Sequence, residues 1–124
     1  SVYLFDDTII NNIVFDSENV NEDLFKKCLI LSNLDDLINK LPNKENTVVG
    51  ENSLKISGGQ KQMVGIARAL YKKPEILILD EATVSIDEKA RERIFKNFEE
   101  LKKEGVTMII ISHDQKILNY CNKI

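Results

Sequence analysis

Three features of the sequence predict an α/β fold that carries part of a parallel sheet. Two continuous apolar runs, "ILIL" at 76–79 and "VTMIII" at 106–111, have the length and β-branched content of strands buried on both faces. Between them a long helical pattern keeps Ala90, Ile94, Phe98 and Leu101 on one side. Strand, helix and strand at this spacing form a right-handed crossover unit of a parallel sheet. Two strands leave both edges of such a sheet unpaired, so further strands must come from sequence beyond these 124 residues or from a second copy of the chain.

The elements follow in order. Thr8 can cap a short turn carrying Ile9, Ile10 and Ile13. Asn21, with Glu22 and Asp23 behind it, starts a helix through "LFKKCLIL", because acids in a first turn complement the helix dipole. Ser32 and Asp35 read as a capping pair ahead of Leu34, Leu37, Ile38 and Leu41, and Pro42 stops that pattern. Residues 43–55 are polar and turn-rich, with Gly50 among them. In "ISGGQKQMVGIARAL", from Ile56 to Leu70, the residues Met63, Ile66, Ala67 and Leu70 share one helical face, and Pro74 breaks the chain beyond it. Asp87 can cap the crossover helix and Gly105 can end it, while "DQKILNYC" supplies a final helical piece.

Composition narrows the function classes. With 43% hydrophobic and 30% charged residues the chain is globular in type. A formal net charge of -3, with acids and bases interspersed, provides no basic field for gripping nucleic acid. Cys28 and Cys121 lie far apart and outside any CxxC pattern, which fits a reduced protein rather than a disulfide framework. The apolar runs are too short to cross a bilayer.

Two places carry chemistry. Ser57 and Gln60 have capping-box spacing, which accounts for both of them. It does not account for Gly58 and Gly59, since glycine costs roughly 1 kcal/mol against alanine in a helix. Glycines there leave bare amides at the positive end of a helix dipole, the makings of a phosphate site. The second place is the carboxyl end of the predicted sheet. The first strand ends in Asp80 and Glu81 and the second in Ser112, His113 and Asp114, where open parallel sheets gather their ligands. A carboxylate in that position can hold a nucleotide-bound Mg²⁺, and a neighbouring one can orient or deprotonate a water. His113 is the only histidine, and the parallel arrangement brings it close to both acids.

Taken together, these motifs resemble the nucleotide-binding domain of ATP-binding cassette (ABC) transporters, over essentially the whole chain. "ISGGQ" is similar to the family's signature motif, and "ILILDE" to its Walker B strand with the catalytic glutamate. "SID" at 85–87 occupies the D-loop position, and "SHD" carries the switch histidine. "VYLFDDTIINNI" is similar to the segment after the Q-loop, and "TVVGE" at 47–51 to the X-loop of exporter-type cassettes. Ser53 stands where the exporter pattern usually has glycine, and "TVSID" replaces the commoner "TSALD" while leaving Asp87 in place. No G-x-x-x-x-G-K-[ST] occurs in the sequence, so the resemblance is to the C-terminal part of a P-loop NTPase cassette without its Walker A loop. It divides the chain into a helical subdomain over 1–56, the signature helix over 57–73 and part of the RecA-like catalytic core over 74–124.

The resemblance implies a mechanism. Two cassettes pack head to tail, with each ATP between one partner's Walker A and the other's signature. Ser57, Gly58, Gly59 and Gln60 would meet the γ-phosphate of ATP held by the opposite subunit. Asp80 would serve Mg²⁺, Glu81 the attacking water, His113 the γ-phosphate, and Asp87 communication across the dimer. Residues 8–41 and the X-loop would contact the transmembrane domains, with Ile13 and Phe15 among the candidates, at the cytoplasmic face of a membrane. A fragment of this kind is expected to be inactive alone and to self-associate through its exposed sheet edges. Three classes of function remain open: the ATPase motor of an exporter, a soluble ABC-type ATPase acting on DNA or ribosomes, and a non-catalytic fragment. The compact helical region and the lack of a basic surface favour the first.

Overall fold

The computed structural model describes residues 2–124, and most of its helices begin where the sequence carries a capping side chain. A two-residue strand, β1 (Asp7–Thr8), leads into α1 (Ile9–Val14), where Thr8 Oγ1 accepts from the Asn11 amide at 3.1 Å. Asn21 Oδ1 accepts from the Leu24 amide at 3.1 Å to open α2 (Glu22–Leu31). The capping pair expected at Ser32 and Asp35 does not form. α3 (Asp35–Lys40) starts from Leu34 without any side-chain cap. Ser32 is buried and its hydroxyl donates back to the Cys28 carbonyl at 2.7 Å, closing the end of α2 instead. The turn-rich stretch that follows contains a second short strand, β2 (Val48–Val49), antiparallel to β1. Neither strand is long enough to show a period of two.

The central element is α4 (Gly58–Tyr71), and its predicted inner face is its buried one: Met63, Ile66, Ala67 and Leu70, joined by Val64. It packs against α1 and α2 through Ile9, Ile13, Phe25 and Cys28, each at most 2% exposed. Desolvation pushes the Cys28 thiol up to about 11. Arg68 on the same helix ties down the leading segment. Its Nε donates to the Asn12 carbonyl at 2.8 Å and its Nη2 to the Tyr3 carbonyl at 3.0 Å, with the guanidinium 5.2 Å from the centre of the Phe15 ring.

Beyond α4 the predicted crossover unit is present. β3 (Ile76–Asp80) is parallel to a later strand, β4 (Thr107–Ile111), in register from Ile76↔Thr107 to Asp80↔Ile111. Between them runs α5 (Glu88–Lys103), with Ala90, Ile94, Phe98 and Leu101 buried as expected and Gly105 turning the chain at φ +92°. A short α6 (Gln115–Leu118) closes the order.

The strands differ from expectation in one respect, for they are covered on one face only. Leu77 and Leu79 join the core of α5, whereas Ile76, Ile78, Ile109 and Ile111 are 47–62% exposed. Among the described residues no element packs on that second face or on either outer strand edge. The apolar run therefore carries a covering requirement that the described chain meets on one side.

Candidate functional site

The carboxyl ends of β3 and β4 lie side by side because the strands are parallel and in register. The ladder extends one residue past β3, the Glu81 amide donating to the Ile111 carbonyl at 2.9 Å. At that point the chain turns out of the sheet with Glu81 at φ +51°, a left-handed conformation that costs a non-glycine residue on the order of 1 kcal/mol or more. The turn covers one oxygen of the carboxylate, although the side chain as a whole is 35% exposed. Oε1 of Glu81 is buried and has no hydrogen-bond partner. His113 Nε2 stands 3.5 Å from it, too far and too poorly directed to be a hydrogen bond, and the imidazole itself is 99% exposed. Asp80, one residue earlier, is exposed.

A buried carboxylate oxygen without a partner is expensive, about 1–3 kcal/mol or more, so it marks a place where something polar belongs. That oxygen is an acceptor, so a donor suits it, and a water supplies one. The exposed Asp80 carboxylate fits Mg²⁺, which takes one or two protein carboxylates and completes its shell with waters and substrate phosphates. No cluster of three or more His, Cys, Asp or Glu side chains that could hold an ion by themselves occurs among the described residues.

The start of α4 forms a second centre. Ser57 Oγ accepts from the Gln60 amide at 3.1 Å and Gln60 Oε1 from the Ser57 amide at 2.8 Å, so the capping box is complete. The amides of Gly58 and Gly59 have no partner among the described residues. The two glycines differ in what requires them. A Cβ on Gly59 would stand 2.6 Å from the Ser85 carbonyl oxygen and 3.3 Å from Ile86 Cα, so this glycine is needed for packing inside the chain. A Cβ on Gly58 would meet nothing nearer than Ser85 Cβ at 3.6 Å, an ordinary contact. Only Gly58 is left without an internal reason, which narrows the sequence reading that treated both glycines alike.

Ser57, Gly59, Gln60, Ser85 and Asp87 line one shallow hollow; Asp80 and Glu81 do not belong to it. Asp87 also has a local duty, since its Oδ1 accepts from the Ala90 amide at 3.0 Å to cap α5. The structure thus brings Glu81 to His113 and Ser57 to Gln60, Gly59 and Asp87, as two centres rather than one. Two residues that sequence reasoning missed connect or steady them. Gln62, one turn into α4, hydrogen-bonds both the Glu81 carbonyl and the Ser85 amide. Arg91 on α5 pairs with Asp114 at 3.1 Å and so anchors the loop that presents His113. Both contacts join residues about twenty positions apart, and no local pattern signals them.

Comparison with known proteins gives this geometry a family. The family model described as "ABC transporter" matches residues 3–84. An ATP-dependent lipid A-core flippase from Saccharophagus degradans is 44% identical over 110 residues, covering 89% of this chain and 19% of that protein. ATP-binding cassette sub-family B member 5 from Homo sapiens is 42% identical, covering 89% of this chain and 9% of that one. A solved structure of a bacterial Atm1-family ABC exporter with ATP bound superposes with a TM-score of 0.82 at 35% identity, covering 95% of this chain and 20% of that chain. The chain spans about a fifth or less of the length of these proteins. No helix among the described residues is long and apolar enough to cross a membrane.

Proposed function

This chain belongs to the ABC transporter family, and we propose that it is the signature and Walker B portion of the ATP-hydrolysing motor of an exporter-type transporter. The observation that carries the reading is the buried, unpartnered oxygen of Glu81 beside His113, at the end of a strand that also carries Asp80. A carboxylate so placed can orient a water and accept its proton. His113, fully exposed at the same strand end, can donate to a terminal phosphate. Asp80 would hold Mg²⁺ together with the phosphates of ATP, and the ion would neutralise charge on the phosphate oxygens.

Ser57, Gly58, Gly59 and Gln60 form the second half of the machinery. The unpaired amides at 58 and 59 form the positive end of a fourteen-residue helix, α4, which favours an anion, and of the two residues Gly58 is exposed and Gly59 buried. Because the acids lie outside the hollow that Ser57 and Gly59 line, we assign the two centres to different nucleotides. The acids serve the ATP of their own cassette, and the glycine amides serve the ATP of a head-to-tail partner. Asp87 and Ser85, in that same hollow, lie at the junction between the two cassettes.

We assign residues 1–56 to a helical subdomain, 57–73 to the signature helix and 74–124 to part of the catalytic core. Phe15, half-exposed beside Phe5, is the contact to the transmembrane domains, at the cytoplasmic face of the membrane. Ile13 is 1% exposed and belongs to the core instead.

The purified 124-residue chain is expected to hydrolyse no ATP, because no Walker A sequence is present in it. It is expected to self-associate through the uncovered face and edges of β3 and β4. The isoleucines there are already about half covered, so covering the rest is worth roughly 1 kcal/mol each. Sedimentation at rising concentration should reveal oligomers, and Ile78→Lys with Ile109→Lys should return them to monomers. Glu81-dependent hydrolysis by the chain alone, or a monomer at high concentration, would contradict these expectations.

A further inference from the structure

We infer that Gln62 is a positioning residue for Glu81, holding the backbone from which the catalytic carboxylate hangs. This rests on the function proposed above for Glu81. Gln62 Nε2 donates to the Glu81 carbonyl at 3.2 Å, and its Oε1 accepts from the Ser85 amide at 2.8 Å. A carbonyl can only accept and an amide N–H can only donate, so the orientation of the Gln62 side chain is dictated by its two partners. Lysine lacks the acceptor, and ionised glutamate lacks the donor.

The Glu81 backbone is where such a tether is needed. Its φ of +51° is unfavourable for a side chain, and a strained residue persists only where its surroundings over-determine it. The sheet supplies one restraint, through the Glu81 amide and the Ile111 carbonyl at 2.9 Å. The turn supplies a second and weaker one, the Val84 amide to the Glu81 carbonyl at 3.4 Å. Gln62 supplies the third and is the only side chain among them. Meanwhile Oε1 of the Glu81 carboxylate has no hydrogen bond of its own. With no hydrogen bond to that oxygen, the placement of the carboxylate rests on its backbone and on the packing around the side chain. The same amide fixes Ser85, whose carbonyl covers Gly59. Gln62 therefore holds the catalytic turn in register with the helix that Ser57 opens.

The test uses the complete protein that carries this chain, assayed for ATP hydrolysis. Gln62→Met keeps the volume of the side chain and removes both hydrogen bonds. It is expected to lower kcat about 10- to 100-fold, as displacement of a reacting group by a fraction of an ångström to an ångström does, with KM for ATP moved less than about 3-fold. Gln62→Glu supplies a second readout that loss of packing does not mimic. At neutral pH its carboxylate faces the Glu81 carbonyl and activity falls. When the new carboxyl is protonated it regains a donor, so the ratio of variant to wild-type kcat rises as the pH is lowered. An unchanged kcat in Gln62→Met overturns the inference, and so does a ratio for Gln62→Glu that is flat with pH. Should Gln62→Met fail to fold, the pH profile of Gln62→Glu decides alone. Glu81→Gln, run alongside, separates the two levels of the argument. If it leaves hydrolysis intact, the proposed function of Glu81 fails; if it abolishes hydrolysis while the Gln62 variants are silent, only the positioning role fails.

Discussion

Replacing Glu81 by glutamine is expected to slow ATP hydrolysis by the complete protein about 10²–10⁴-fold, the range over which general-base catalysis operates. Binding of ATP should change little. The substitution is nearly isosteric, and it alters a group whose Oε1 is buried and unpartnered at the end of β3. The effect on stability should run the other way. A buried oxygen without a partner costs folding free energy whether it belongs to a carboxyl or an amide group, so the exchange adds no new cost. The Glu81→Gln variant should therefore melt no lower than the wild type while losing nearly all turnover. Sites that sacrifice stability for chemistry behave in this way. Thermal unfolding and steady-state hydrolysis on the same preparation check both halves. A variant that loses activity together with several degrees of melting temperature would point to a structural carboxylate instead.

Much of this arrangement is legible in the sequence, for reasons that differ from place to place. Thr8, Asn21, Ser57 and Asp87 each cap a helix as their sequence context indicates, because a cap is a local interaction over three residues. Ser32 resembles them and behaves differently. Its backbone already belongs to the end of α2, and its hydroxyl finds the Cys28 carbonyl first. The strands β3 and β4 are legible from their apolar runs, and their parallel pairing places His113 beside Glu81 without any knowledge of the fold. What covers their second face is a property of other chain segments, so exposure of Ile78 and Ile109 has no signature in the runs themselves. The left-handed turn at Glu81 and the bridge from Gln62 are tertiary facts. Glutamate is an unfavourable residue for such a turn, and the chemical task proposed for it supplies a reason for its presence there.

The two glycines that open α4 separate packing from ligand binding more sharply than any other pair in the chain. Gly59→Ala is expected to destabilise the fold by about 1–3 kcal/mol, the usual cost of forcing a methyl group into a filled space. Its Cβ would lie 2.6 Å from a backbone carbonyl, that of Ser85, and backbone cannot swing aside as a side chain end can. Gly58→Ala meets only an ordinary contact at 3.6 Å and gains helix propensity, worth up to about 1 kcal/mol in a helix interior and less in a first turn. It should fold as well as the wild type. In the complete protein, however, its methyl group would project from the exposed start of α4, beside the amides proposed to receive a partner's terminal phosphate. Hydrolysis is expected to fall about 10-fold or more, through weakened stabilisation of charge by the helix start. Chemical denaturation compares the two variants as folds, and ATP turnover compares them as catalysts. The decisive outcome is the crossing of the two orders: Gly59→Ala lower in stability, Gly58→Ala undiminished in stability yet slow. Full turnover by Gly58→Ala would mean that no phosphate approaches this end of the helix, because the fold alone gives alanine no reason to be harmful there.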